Sequence, residues 1–430
     1  MKPLRIVLIV LAIVILAPLV LAQGVVLYLV AKDSASEAQA DQVELATVAS
    51  AGARDCVAMK HKRPSAWDVG DEKYSQYLKN WIETCQREAA ADPAAAVQLS
   101  LAEAFFAADR RQESVDVLRT LAAKDNADAL LEIYERHRSF ERGDVDAPQI
   151  IKAKEAGESL RKAAELGHPK AILRYAINLE QGSIIKRDID AAAVWMEQAI
   201  AKPAHDAYPA EYPIYLGRML IMSPDPAKCA RGIRLLEADG RPAAKAHLAV
   251  AIRKDDPVRA RSLLEGSLRA WPGTALPPLA DMLIKGEGGP EDGKRALKLL
   301  QSYSNASAPA SINAALGEIY AEGKLVPRDL QKAADLMRGE TQWSVGAKLH
   351  YARFLTENPT VKVNNPKRIV YDLTDMAELG EPGAMTTFIA LKLSSNQQFA
   401  DKAGGCKLAE QAVAAGEASA KTFLATCAAN

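Results

Sequence analysis

The sequence predicts an all-α chain of stacked helical hairpins, and three observations carry that prediction. From about residue 43 onward, Ala/Leu-rich segments of helical period alternate with short breaks at Gly, Pro, Asp or Asn. No stretch alternates apolar and polar residues with the period of two that marks a strand. One pattern of apolar, small, Gly and Asp residues returns three times in register, the signature of a repeat architecture. The chain has 430 residues, which at ~150 residues per domain means two or three domains or one extended array. Apolar residues make up 49%, enough burial to exclude a disordered chain, and the low aromatic share of 6% suits helices packed through small side chains. The 54 basic and 54 acidic residues balance, without the basic excess or stripe of a nucleic-acid binder.

Taken in order, residues 1–32 read as a signal-anchor transmembrane helix. Lys2 and Arg5 precede an apolar run over 6–30, interrupted only by Pro18, Gln23 and Gly24. As a helix this run is about 37 Å long at ~1.5 Å per residue, sufficient for a ~30 Å hydrocarbon core. The alternative is a signal peptide cleaved after Val20-Leu21-Ala22. The apolar run continues from Gly24 to Val30, past that site, which favours an uncleaved anchor. In both cases Lys2 and Arg5 stay in the cytoplasm, and the body is expected on the exported, periplasmic side. No Cys lies near the end of the run, so a lipid anchor on cysteine is not expected. Residues 33–50 form an acidic, Ala-rich tether.

Residues 51–165 read as a degenerate helical-repeat region. In it Asp92-Pro93 opens a helix with Leu99, Ala102, Phe105 and Phe106 as its stripe, and Asp109-Arg110 breaks the chain. Residues 166–345 hold the repeats. The first copy runs Tyr175, Ala176, Leu179, Gly182, Asp188, Ala192 and Trp195. The second runs Leu279, Ala280, Leu283, Gly286, Asp292 and Ala296, and the third Leu316, Gly317, Tyr320, Gly323, Asp329, Ala333 and Leu336. Each pattern reads as a helix ended by Gly, which adopts a left-handed backbone without a Cβ clash. Six residues on, Asp188, Asp292 or Asp329 caps the second helix by accepting amide hydrogen bonds. The following Ala lets the two helices approach closely. Residues 346–430 read as degenerate C-terminal repeats and a cap, with an enlarged turn over 358–365.

The pattern Leu316-Gly317-x-x-Tyr320-x-x-Gly323-x-x-Val326-Pro327-x-Asp329-x-x-x-Ala333 resembles the Sel-one-like repeat, a relative of the tetratricopeptide repeat. The resemblance implies α/α hairpins of about 36 residues stacked into a right-handed solenoid, on the order of ten if every helical pair belongs to the stack. Such arrays resemble adaptors with a concave surface for peptides, proteins or polysaccharides. Exported members are similar to scaffolds and regulatory factors in envelope processes, including polysaccharide secretion and control of membrane sensors.

Candidate chemistry is sparse. Five Cys in an exported chain invite disulfides. Cys406 and Cys427 flank Gly416 almost symmetrically, and Cys56 and Cys85 bracket a second hairpin; the alternative for each is a pair of small buried thiols. Cys229 is left over. There is no CxxC pair, and the six His are scattered without a metal-ligand spacing, so neither a metal site nor a cofactor is expected. His168 falls in an inter-repeat turn, where an exposed polar residue is expected. The segment from Gly288 to Lys294 imitates a phosphate-binding loop, but Arg295 stands where Ser or Thr is required and Asp292 reads as a helix cap. No GxSxG elbow or nucleophile–His pattern is present.

Aromatic residues cluster twice. Tyr74, Tyr77 and Trp81 have the helical spacing of a core stripe, which is the expected reading, with a sugar-stacking platform as the alternative. Tyr208, Tyr212 and Tyr215 flank a Pro-rich stretch and are expected on an exposed loop as a partner surface. The sequence therefore predicts a non-catalytic exported adaptor that binds envelope proteins or polysaccharide machinery. A regulatory subunit repressing a membrane sensor and an envelope hydrolase are the alternatives.

Overall fold

The computed structural model describes residues 55–141, 150–203, 209–305, 307–342 and 344–428. The anchor over 1–32, the tether over 33–50 and Tyr208 lie outside them. Among the described residues every regular element is a helix, and none is long and apolar enough to cross a membrane. The chain divides into two compact units, one up to Leu121 and one from Ala122.

The first unit contains α1 (Cys56–His61), α2 (Ala66–Val69), α3 (Asp71–Ala91), α4 (Ala95–Ala107) and α5 (Arg111–Ala122), which runs up to the boundary. Its core forms around Trp81, which is fully buried with Tyr77, Ile82, Leu101 and Phe105. The indole Nε1 donates to the Cys56 carbonyl at 3.0 Å, and the buried Ser100 hydroxyl donates to the same oxygen at 2.8 Å. The Tyr77 hydroxyl donates to the Met59 carbonyl. Tyr77 and Trp81 are thus core residues, not a stacking platform. A disulfide between Cys56 and Cys85 joins the short α1 to the long α3.

The second unit begins with α6 (Ala127–Glu141), α7 (Ala153–Glu165), α8 (Pro169–Gln181), α9 (Ile189–Ala201), α10 (Tyr212–Ile221) and α11 (Pro226–Asp239). It continues with α12 (Pro242–Ile252), α13 (Pro257–Ser267), α14 (Pro272–Lys285), α15 (Gly293–Tyr303), α16 (Ala310–Glu322) and α17 (Leu330–Met337). The last helices are α18 (Val345–Glu357), α19 (Pro366–Glu378), α20 (Ala384–Leu393), α21 (Lys402–Ala414) and α22 (Lys421–Ala428). Consecutive helices pair as hairpins, and the first helices of neighbouring hairpins stack on one another, α10 on α12, α12 on α14, α14 on α16 and α18 on α20. This is an all-helical repeat solenoid.

The turns explain its regularity. Gly182, Gly286 and Gly323 end α8, α14 and α16 with φ of 71°, 67° and 73°, a region that L side chains enter only at a cost. Asp188, Asp292 and Asp329 then accept from the amides of Ala191, Arg295 and Lys332 to cap the following helix. In all three turns the Asp amide donates back to the carbonyl three residues before the Gly, at Leu179, Leu283 and Tyr320. Arg187 and Arg328, five residues after their Gly, donate through Nε to the carbonyls of Glu180 and Ala321, orphan acceptors of the preceding helix end. Ala192, Ala296 and Ala333 are fully buried where paired helices meet.

Elsewhere an Asp or Asn cap followed by Pro starts α11, α13 and α19: the side chain accepts the first amide hydrogen bond, and Pro occupies a position whose N–H has no helical partner. His168 plays the same part before Pro169. Its Nδ1 accepts from the Ala171 amide at 3.3 Å, which leaves Nε2 to donate to Asp128, so it is a helix cap with a set tautomer rather than a freely exposed turn residue. Helix α14 contains Pro277 and Pro278. Pro277 leaves the Gly273 carbonyl without its helical donor, and the Ser311 hydroxyl of α16 supplies one at 2.7 Å. The enlarged turn over 358–365 is clamped by two glutamines. Gln331 exchanges paired hydrogen bonds with the backbone of Lys362, and Gln398 does so with Val363.

The second unit also bends until its two flanks meet. The Arg187 amide donates to Oε1 of Glu381 at 2.7 Å across 194 residues, and a Cβ at Gly182 would lie 3.3 Å from Val345. Burial pushes the Glu381 carboxyl above its ordinary range, against the opposing pull of the Arg187 amide. At the far end, Cys406–Cys427 joins α21 to α22 across the turn at Gly416, whose φ is 93°.

Candidate functional site: a cationic cavity in the second unit

The meeting of the flanks encloses a cavity of about 1000 Å³. One wall is formed by α6, α8 and the turn after α8; the other comes from α17, the short 3-10 turn Arg338–Gln342, α18 and α19. Facing the interior are Arg138, Arg174, Arg338, Lys348 and Arg368, against the carboxylates of Asp335 and Asp372.

Among the described residues that line the cavity, cations outnumber carboxylates. On the first wall, Arg138, Lys170 and Arg174 lie 3.5, 3.8 and 3.6 Å from the carboxylate of Glu135. These separations are loose, and Nε of Arg174 is buried without a hydrogen-bond partner. On the opposite wall, Lys348 lies 3.0 Å and Arg368 3.1 Å from the same oxygen of Asp372, which is itself buried. Arg338 is exposed to the interior, with no carboxylate within ion-pair distance among the described residues.

Neutral hydrogen-bonding groups line the remainder. Asn178 donates to the Tyr134 hydroxyl at 2.9 Å and accepts from Ser183 at 2.8 Å, while Gln181, Asn313 and Asn365 present further amides. Tyr134 and Tyr351 are each only 3% exposed, so their rings lie in the wall. Burial raises the Tyr351 hydroxyl to about 12, with Arg338 pulling it down and Asp335 pushing it up. Guanidinium groups that are not saturated by carboxylates, surrounded by amides, suit the binding of anions by paired hydrogen bonds.

The sequence-marked residues lie elsewhere. The six repeat-defining Gly and Asp shape the turns and do not line the cavity. Tyr212 and Tyr215 are not on an exposed loop: Pro213 sits in the first turn of α10, and the helix carries Tyr212 into the core at 2% exposure. Tyr215 is half-buried, donates to Glu211 and lies under Arg218. A buried ring such as Tyr212 cannot form part of a partner surface. Cys229 keeps a free thiol. The segment imitating a phosphate loop has a structural role. A Cβ at Gly288 would collide with the Pro257 carbonyl at 2.1 Å, and Arg261 donates to Pro290. Among the described residues no cluster of His, Cys, Asp or Glu is arranged to hold a metal.

Sequence reasoning missed the cavity cations because they lie on helices far apart in the chain. No spacing marked them: Arg138 lies in the last turn of α6, whereas Arg174 lies near the middle of α8.

Fold and cavity together define an α/α repeat protein with a charged interior. The Sel1 repeat model matches residues 169–202, 279–303 and 313–338, the three hairpins in which the Gly and Asp turns recur. Among solved structures, a Sel1 repeat protein from Oxalobacter formigenes is similar at 20% identity, with 56% of this chain and 95% of that one covered and a TM-score of 0.36. A protective antigen of uropathogenic Escherichia coli strains, described as displaying an SLR fold, is similar at 17% identity over 89% of this chain and 81% of that one, with a TM-score of 0.38. No curated protein matches the chain significantly.

Proposed function

We propose that this protein is a non-catalytic helical-repeat adaptor that works outside the cytoplasm and binds envelope proteins, among them machinery for polysaccharide secretion. The observation that carries the reading is the second unit: three Sel1-matching hairpins within a continuous array that curves around a large polar interior. A solenoid of this kind offers an extended concave surface and no chemistry of its own. The exported location is supported by the apolar run over 6–30 and by the two disulfides, bonds that persist in oxidising compartments.

The test is crosslinking in intact cells, followed by affinity purification of the full chain and mass spectrometry. Recovery of a reproducible set of envelope proteins supports the adaptor; recovery of cytoplasmic proteins alone overturns the location. The hydrolase reading draws on one observation, the presence of Ser183, Lys348 and Tyr351 in the cavity lining. The Ser183 hydroxyl, however, donates to an amide oxygen of Asn178 rather than to a base. Turnover of peptidoglycan or a β-lactam by the purified protein would establish that reading instead.

A further inference from the structure

We propose that the cavity of the second unit is a binding site for an acidic peptide segment, whose carboxylates pair with Arg174, Arg338 and Arg368. The proposal rests on the reading of that unit as a protein-binding scaffold and names the chemistry of the partner it takes.

Several cations held together in a partly enclosed space repel one another, and Arg338 is one of them. It lines the cavity without a carboxylate partner among the described residues, while on the facing wall Nε of Arg174 lies 3.6 Å from Glu135, beyond hydrogen-bond distance. Among the described residues that line the cavity, the five cations Arg138, Arg174, Arg338, Lys348 and Arg368 face the two carboxylates of Asp335 and Asp372. A ligand bearing several carboxylates would balance that excess. At about 1000 Å³ the space is at the upper end of small-molecule pockets and far exceeds what a single ion fills.

The neutral lining selects the class of anion. Asn178, Gln181 and Asn365 offer amides, which both donate and accept, as a peptide backbone requires. Sugar rings and nucleobases are held largely by stacking on exposed aromatic faces. Here the rings of Tyr134 and Tyr351 are covered and present no such face. The cavity therefore favours peptide carboxylates over an anionic glycan or a nucleic acid.

The experiment measures fluorescence anisotropy of a labelled hexaglutamate peptide on the full chain. Competitors are unlabelled hexaglutamate, a hexasaccharide of uronic acids and a single-stranded oligonucleotide. Hexaglutamate is expected to bind, to weaken as salt is raised, and to compete better than the other two. Arg338→Ala should lose about tenfold in affinity or more, since a hydrogen-bonded charge pair is removed, with Arg338→Lys partly restoring it. Arg338 has an exposed side chain and no ion-pair partner among the described residues, so its replacement should not lower the thermal melt. Asp335→Asn removes a repelling charge and should tighten binding, a gain that no folding defect produces.

Equal affinity of wild type, Arg338→Ala and Asp335→Asn would overturn the proposal, as would the uronate or oligonucleotide binding in preference to the peptide. The parent reading fails separately. If crosslinking recovers partners and Arg338→Ala recovers them undiminished, the scaffold stands and the cavity assignment falls. If no partner is recovered but peptide binding responds to Arg338 and Asp335 as described, the cavity assignment stands alone.

Discussion

Replacing the turn glycines by alanine should produce a graded series of losses, because the same left-handed backbone meets different neighbours. Gly240, at the end of α11, has φ of 65° and nothing within 4 Å of the Cβ position. Gly240→Ala should therefore show only the conformational term, about 1 kcal/mol. At Gly286 the nearest atom to an added Cβ is the Glu291 amide nitrogen at 3.2 Å, a backbone atom that yields slightly, and the loss should rise to about 2 kcal/mol. At Gly323 the Cβ of Arg328 would be only 2.6 Å away. Relief of that overlap displaces Arg328 and breaks its 3.0 Å hydrogen bond to Ala321, which adds about 1 kcal/mol to an overpacking term of about 1–2 kcal/mol. The expected total is about 3–4 kcal/mol. In a repeat array the defect is local, so hydrogen exchange read hairpin by hairpin is a better assay than one global melt. Protection should fall most in α16 and α17 for Gly323→Ala. Equal losses at Gly240, Gly286 and Gly323 would refute the reasoning, since they would show that the residue five positions on contributes nothing beyond the left-handed backbone.

Three further outcomes follow from other contacts. Ser311→Ala leaves the Gly273 carbonyl without the donor that replaces the missing Pro277 amide, and should destabilise α14 by about 1–2 kcal/mol in urea unfolding, while Ser302→Ala, on an exposed helix end, should be near neutral. Burial, reinforced by Arg218, holds His247 down at about 4 from 6.5. It stays neutral in the folded chain while the unfolded chain protonates, so stability should fall as pH drops from about 6.5 towards 4, by up to ~3 kcal/mol, and His247→Gln should flatten that limb of an acid denaturation curve. Glu381 has the opposite sign: its carboxyl is raised, so its ionised form disfavours folding and stability should decline as pH rises above the ordinary carboxylate range. Glu381→Gln keeps an acceptor for the Arg187 amide and should remove that dependence, whereas Glu381→Ala should cost about 1–3 kcal/mol at every pH by leaving the amide unpaired.

The repeat turns were legible because their chemistry is local. A Gly six residues before an Asp specifies a helix end and a helix start whatever surrounds them, and the structure places both at Gly182, Gly286 and Gly323. The buried face of α4 was less legible. That helix is apolar nearly all round, so its pattern could not choose a side; Leu101 and Phe105 are buried, whereas Leu99 and Phe106, expected in the stripe, are only half-buried. Tyr212 was misplaced because a Pro-rich approach reads as a loop, although Pro in the first helical turn is also how a helix starts. The cavity was almost invisible. Its charges come from separate helices, and each Arg or Lys, seen alone, resembles any residue on a solvated helix face. Only the curvature that brings α8 opposite α19 makes them neighbours, and curvature accumulates over many hairpins from small rotations that no single motif encodes.

The bond between the Arg187 amide and Glu381 has an evolutionary consequence. An open array gains or loses whole hairpins freely, because its length answers to nothing but its caps. In the second unit the chain from α8 to α19 has a fixed circumference. Deleting a hairpin such as α12 with α13 would carry the Glu381 carboxylate away from its amide and open the wall between Arg174 and Arg368. Drift in this unit is therefore expected to run through substitutions within hairpins, while hairpin number is held constant.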